Sequence, residues 1–150
     1  MISKPNCTYE PTQKVGEGTY ATVYKAWAVP HQDTNAKKQK VNKEMVALKK
    51  IKPIASQNGL DISAIRELRF LKTISHPNII KLRDCYSHNS NLFLVLEILH
   101  ADLEMIIKDR MLLFGAGDIK SWMLMLMRGL YHCHRMFILH RVSYFRWPLF

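Results

Sequence analysis

The chain is short of acid, of cysteine and of long apolar runs. Twelve Asp and Glu stand against 22 Lys and Arg, for a formal net charge of +10 over 150 residues. Such an excess can signal nucleic acid or a membrane surface. Much of it, however, is gathered in Lys37-Lys38-Gln39-Lys40-Val41-Asn42-Lys43, where no aromatic side chain interleaves to stack on bases. That run reads as a solvated loop, with a nuclear-import or anion-contact segment as the alternative, and no direct nucleic-acid contact is expected. Cys7, Cys85 and Cys133 are isolated and odd in number. They argue against a disulfide framework or a zinc site and for reduced thiols in the nucleus or cytoplasm. No apolar stretch approaches the ~20 residues that cross a bilayer. Residues 122–127 are apolar but short, which suits a buried helix, and residues 1–10 lack the basic-then-apolar pattern of a signal peptide.

What is present suits one ordinary globular domain, 48% hydrophobic and 23% charged. Residues 9–15 and 22–27 read as strands about the turn Gly16-Glu17-Gly18. A polar stretch, 28–44, with Pro30, Asp33 and Asn35 as breakers, reads as a long loop. A third strand is expected over 45–51 and a linker over 53–59. Asp61 or Ser63 can cap a helix striped by Ile62, Ile65, Leu68 and Leu71, ended by His76-Pro77-Asn78. Strands over 79–86 and 92–97 flank the turn Ser87-His88-Asn89-Ser90-Asn91. Helices follow: a short one with Leu103, Ile106 and Ile107 on one face, then a breaker and cap, Gly115-Ala116-Gly117-Asp118. A longer helix comes next, striped by Ile119, Trp122, Met123, Leu126, Leu130 and Cys133. Five strands with one inserted helix, then helices, make an α+β chain in two unequal parts.

Three groups in this order carry chemistry. Gly16-Glu17-Gly18-Thr19-Tyr20-Ala21-Thr22-Val23 fits Gly-x-Gly-x-x-Gly-x-Val except for Ala21 at the third glycine. Glycines there let backbone N–H groups approach phosphates without obstruction; a plain turn is the alternative. A strand follows, not a helix, so this is no Rossmann fingerprint. Val46-Ala47-Leu48-Lys49 supplies a lysine beside a small alanine, with Ala47 and Lys49 on one face of the strand and Val46 and Leu48 on the other. Glu67, on the inserted helix, offers the anion that would orient Lys49 toward phosphates. Each alone has a surface residue as its alternative; together, in order, they form one constellation.

With these residues in place the chain resembles a cyclin-dependent protein kinase. Gly59-Leu60-Asp61-Ile62-Ser63-Ala64-Ile65-Arg66-Glu67 is similar to that family's cyclin-reading helix, and Ser75-His76-Pro77-Asn78-Ile79-Ile80, Leu94-Val95-Leu96-Glu97 and Ile138-Leu139-His140-Arg141 fit it as well. Ala21-Thr22-Val23-Tyr24-Lys25-Ala26, residues 102–109 and Met123-Leu124-Met125 look most like the CDK-activating branch, which also phosphorylates the C-terminal repeats of RNA polymerase II. The resemblance runs from about Tyr9 to Arg141. It implies a kinase small lobe, a five-stranded antiparallel sheet plus one helix, over 9–98 behind an extension, 1–8. A hinge and the first helices of the large lobe would fill 99–141.

The resemblance implies ATP as cofactor, with magnesium expected for the family, and a cyclin partner on the helix from Asp61 to Leu71. Val15 and Val23 would sandwich adenine, with Ala47 beside it. Residues Gly16 to Thr22 would cover the phosphates. Leu96 would be the gatekeeper, Glu97 and Leu99 would offer hinge groups, Asp102 would meet the ribose, and Lys49 and Glu67 would pair.

Three departures stand out. Loop 28–44 is longer and more basic than the family shows. Thr19-Tyr20 resembles the inhibitory phosphorylation pair of the cell-cycle kinases. Val142 follows His140-Arg141 where the catalytic Asp belongs, and neither the downstream Asn nor Asp-Phe-Gly has a counterpart in the 150 residues. The magnesium ligands and the protein-substrate platform are therefore missing. The aromatic tail 142–150 resembles nothing in the family; Val142-Ser143 can be encoded by GTA-AGT, an intron-donor sequence, so the tail reads as retained intron. The chain is thus expected to be a truncated form without catalysis: a nucleotide- or cyclin-binding remnant, or an unstable product. The helix over 119–136 would then expose Trp122, Met125 and Leu126. His132, Cys133 and His134 lie together near its end, a metal cluster only by sequence proximity.

Overall fold

The computed structural model describes residues 5, 7–31, 43–52, 62–89, 91–139 and 148–149. Five strands form one antiparallel sheet: β1 (Cys7–Glu17), β2 (Ala21–Pro30), β3 (Glu44–Ile51), β4 (Leu82–His88) and β5 (Asn91–Glu97). The spatial order is β1-β2-β3-β5-β4, with helix α1 (Ile62–Thr73) inserted between β3 and β4. This is the α+β arrangement that the strand and helix patterns predict.

Alternation along the strands builds two faces. One is a core of Ala26, Ala28, Val46, Leu48 and Val95, against which Cys7, Tyr9, Tyr24, Tyr86 and Phe93 pack. Tyr9, Tyr86 and Phe93 form a stack, with centroids 5.4 and 5.0 Å apart and rings nearly parallel. Tyr9 donates its hydroxyl hydrogen to Asp84 Oδ2 at 2.8 Å. Since β1 and β4 are opposite edges of the sheet, this bond requires the sheet to curl until its edges meet. Burial and the Asp84 carboxylate keep the Tyr9 phenol protonated far above its usual range. The other face carries Ala47 and Lys49, as the alternation requires.

Several local expectations give way. The hairpin turn lies at Gly18-Thr19-Tyr20, not Gly16-Glu17-Gly18, because β1 continues to pair through Gly16↔Val23 and Glu17↔Thr22 and closes with Gly18 N donating to Ala21 O at 2.8 Å. β4 starts at Leu82, three residues later than expected; Ile79 belongs instead to a turn in which its N–H donates to His76 O at 3.0 Å. Ser63 lies inside α1 and so cannot cap it, and Asp61 falls outside the described residues. The buried stripe of α1 is Ala64, Leu68 and Leu71, while Ile65 is 37% exposed. The face toward the core follows i, i+4, i+7: Leu68 and Leu71 lie on it as expected, and Ala64 takes the place expected for Ile65.

Two compact units divide the chain: residues 1–71 with 82–98, and residues 72–81 with 99–150. In the second, β6 (Ala101–Asp102) pairs with β7 (Pro148–Leu149), a two-stranded ribbon absent from the sequence reading. Helix α2 (Leu103–Lys108) is capped by Asp102, whose Oδ1 accepts from Met105 N at 2.7 Å. Leu103 and Ile106 are half-buried but Ile107 is exposed, so the α2 face is narrower than expected.

Helix α3 (Ala116–Arg135) has Gly115 as N-cap; Asp118 is not the cap but reaches back to accept from Gly115 N at 2.8 Å. Its inward face includes Trp122, Met125, Leu126, Gly129, Leu130 and Cys133, half-buried or buried. The exposed apolar side chains are instead Ile119, Met123, Leu124, Met127 and Tyr131. Hence 122–127 is not a buried segment throughout, and Ile119 and Met123 lie off the inward stripe. Phe114 packs on Trp122 at 5.4 Å, and His132 stacks on His76 at 5.0 Å. A Cβ on Gly129 would sit 2.8 Å from Asn78 O, so the 76–79 turn rests directly on the α3 backbone. Past the helix Phe137 takes φ 57°, and Ile138 N donates to Cys133 O at 2.9 Å, a Schellman-type end without glycine.

Candidate nucleotide site

The first unit carries most of the residues singled out in the sequence, on consecutive strands. Val15 has no partner in the β1–β2 register, which steps from Lys14↔Tyr24 to Gly16↔Val23. It is the extra residue of a β-bulge, a device that re-aims a side chain, and it is 57% exposed. Val23 lies opposite Lys49, and Lys49 opposite Leu94; one step along, Lys25, Ala47 and Leu96 form a second row across β2, β3 and β5. Val46 pairs with Glu97 at the end of β5. Leu96 is buried and Glu97 half-buried. Thr22 is buried within the sheet, whereas Tyr20 at the hairpin tip is 69% exposed. Leu99 and Asp102 belong to the second unit, where the Asp102 carboxylate caps α2.

Lys49 Nζ donates to Glu67 Oε1 at 2.6 Å, with both side chains partly exposed. Glu67 reaches Lys49 because it shares the inward side of α1 with Ala64, Leu68 and Leu71, at i+3 from Ala64. In that geometry the ammonium is fixed by one carboxylate and keeps two further N–H bonds for an anion.

The glycines pose a different question. Neither Gly16 nor Gly18 has a positive φ. A Cβ at Gly16 would meet nothing within 4 Å, and one at Gly18 only Ala21 O at 3.9 Å. Nothing within the described chain demands glycine at either position.

Two lysines that the sequence does not single out, Lys14 and Lys52, complete the hairpin through Glu17. Glu17 accepts from Lys14 on β1 and from Lys52 Nζ, the latter at 2.6 Å. Lys52 also donates through Nζ to Gly18 O at 3.2 Å, and through its backbone N–H to Tyr20 O at 2.9 Å. Hydrogen bonds from Lys14 and then Lys52 hold the Glu17 carboxyl at about 2, well below its ordinary value. Only the β2–β3 register brings Lys52 to the hairpin, and no motif spacing marks it. Among the described residues no three His, Cys, Asp or Glu side chains gather as a metal site. His140, Arg141 and Val142, the basic run up to Asn42, the linker 53–59 and tail residues 142–147 and 150 lie outside the described residues.

The protein kinase domain profile matches residues 9–141. The chain belongs to the protein kinase family. Among its relatives, the serine/threonine-protein kinase KIN28 of Saccharomyces cerevisiae is 49% identical over 138 residues, covering 92% of this chain and 42% of that protein. Serine/threonine-protein kinase crk1 of Schizosaccharomyces pombe is 48% identical over 134 residues, covering 89% and 37%. Cyclin-dependent kinase 7 of Xenopus laevis is 43% identical over 136 residues, covering 89% and 36%. Within that family the chain descends from the cyclin-dependent, KIN28-type branch, and it spans about two-fifths of the length of these relatives. The five-stranded sheet, its inserted helix and the helices beyond are a kinase small lobe with part of the large lobe. No helix among the described residues is long and apolar enough to cross a membrane.

Proposed function

We propose that residues 1–150 hold ATP through the small lobe, 9–98, and the hinge, and that by themselves they do not transfer phosphate. The observation that carries the reading is the 2.6 Å pair of Lys49 with Glu67, in register with Val23 and Leu94. The bulge that lifts Val15 and the two glycines that the fold does not need support it. In this reading Val15, Val23 and Ala47 enclose the adenine beside Leu96, and Glu97 and Leu99 offer backbone groups to its edge. Residues Gly16 to Thr22 cover the phosphates, Lys49 neutralises them, and Asp102 meets the ribose. Magnesium would enter with the triphosphate, as the family's use of ATP implies. Val142, in place of the catalytic Asp, removes the group that positions the substrate hydroxyl. Residues 99–141 act as hinge and partial large lobe and 142–150 as an unrelated tail; the compartment is the nucleus or cytoplasm.

The outer side of α1 supports a cyclin partner for the Asp61 to Leu71 segment, since Ile65 is an apolar side chain turned away from the core. The substrate class by ancestry is a cell-cycle kinase or the polymerase C-terminal repeat. The test is calorimetric titration of the 150-residue chain with ATP·Mg, beside a phosphotransfer assay on a polymerase repeat peptide. Weak binding, lost in Lys49→Met and without turnover, is the expected result. Turnover abolished by Lys49→Met, or submicromolar affinity strictly dependent on magnesium, would refute it.

A further inference from the structure

The phosphate hairpin carries its own clamp. Glu17 is an acid placed where an anionic ligand would be repelled, and two lysines converge on it, Lys14 from β1 and Lys52 from just past the end of β3. Lys52 does more than neutralise charge. Its ammonium spans Glu17 Oε1 at 2.6 Å and Gly18 O at 3.2 Å, while its backbone N–H holds Tyr20 O at 2.9 Å. The Gly18 N–H, in turn, is held by Ala21 O at 2.8 Å. Three stations of the hairpin tip, at 17, 18 and 20, are thus tied to the residue that follows β3, three positions beyond Lys49. A glycine-bearing hairpin left to itself samples many backbone states and loses that freedom when it closes on a ligand.

We propose that Lys52, acting through Glu17 and the Gly18 and Tyr20 carbonyls, is a positioning residue that shapes the phosphate hairpin before nucleotide arrives. The link to nucleotide rests on the reading above; the shaping of the hairpin does not. The clamp and a plain charge effect make opposite predictions at Glu17. Glu17→Gln removes a negative charge beside the phosphates, so Coulomb attraction alone would tighten ATP binding. Under the clamp, the same change frees both lysines, loosens the hairpin and weakens ATP.

Amide hydrogen exchange of the full chain without ligand, and titration with ATP and with adenosine, decide between them. Lys52→Met and Glu17→Gln are expected to speed exchange at Gly18 and Lys52, and to weaken ATP, by about two- to fivefold each, the scale of exposed ion pairs. Adenosine affinity is unchanged, and Lys52→Arg, which can still bridge Glu17 and Gly18, restores the wild-type values. Unchanged exchange in both variants overturns the clamp whatever the binding does. Faster exchange with equal or tighter ATP binding overturns its role toward nucleotide. If the wild-type chain binds neither ATP nor adenosine, the nucleotide reading falls and exchange alone judges the clamp.

Discussion

Replacing Gly129 by alanine tests how residues 72–81 are seated on α3. Within a helix the exchange ordinarily stabilises by ~1 kcal/mol. Here the added Cβ lands 2.8 Å from Asn78 O, closer than carbon and a backbone oxygen approach, with Asn78 C and Cβ both at 3.6 Å. The turn cannot yield cheaply: Asn78 N donates to His76 Nδ1 at 3.1 Å, Ile79 N donates to His76 O, and the His76 ring stacks on His132. Overpacking of this kind costs about 1–3 kcal/mol, and the rigidity of the turn places it in the upper part of that range. After the helical gain is subtracted, a net loss of about 1–2 kcal/mol remains, or roughly 2–8 °C in Tm at two to four degrees per kcal/mol. Gly117→Ala is the control, since its Cβ meets nothing within 4 Å and it gains up to ~1 kcal/mol. Thermal unfolding of both variants against wild type gives the answer. A Gly129→Ala protein as stable as Gly117→Ala would refute the close seating of the 76–79 turn on α3.

Phe137→Gly relieves the one left-handed residue at the end of α3 and should stabilise by about 1 kcal/mol in chemical denaturation, since φ 57° costs a bulky residue about that much; a loss would mean that the exposed ring has a contact of its own. Tyr9→Phe keeps the ring stack but deletes the bond to Asp84, and should cost about 1 kcal/mol, with faster exchange at the β1 amides; an unchanged stability would show that the sheet edges are held by stacking alone. The Glu17 carboxyl carbon, followed by NMR, should titrate near pH 2. Because its folded value is depressed, the clamp is complete above the ordinary carboxylate range and is lost as pH falls toward 2. A midpoint in the ordinary range, unmoved by Lys14→Met or Lys52→Met, would refute the double lysine contact.

Much of the small lobe was legible in the sequence because its signals are local. Period-two alternation places Val46 and Leu48 opposite Ala47 and Lys49 whatever the rest of the chain does. The order of glycine hairpin, lysine strand and acidic helix marks Lys49 and Glu67 as partners, and they meet at 2.6 Å. Helical stripes were less secure: Leu68 and Leu71 on α1 and Trp122, Leu126, Leu130 and Cys133 on α3 face inward as expected, but Ala64 replaces Ile65, Met125 replaces Met123, and Ile119 is exposed. Apolar residues occur on more than one side of each helix, so composition alone does not choose the inward one.

Tertiary structure alone decided the contacts between distant strands. Tyr9 and Asp84 are 75 residues apart, at opposite edges of the sheet, and meet because twist accumulates across five strands until the edges close. The bulge at Val15 and the arrival of Lys52 at Glu17 are products of strand register. The demand for glycine at 129 comes from a carbonyl 51 positions earlier in the chain. Side-chain periodicity fixes which way a residue faces; which residue it then meets depends on register and curl, and these are set by the assembled sheet.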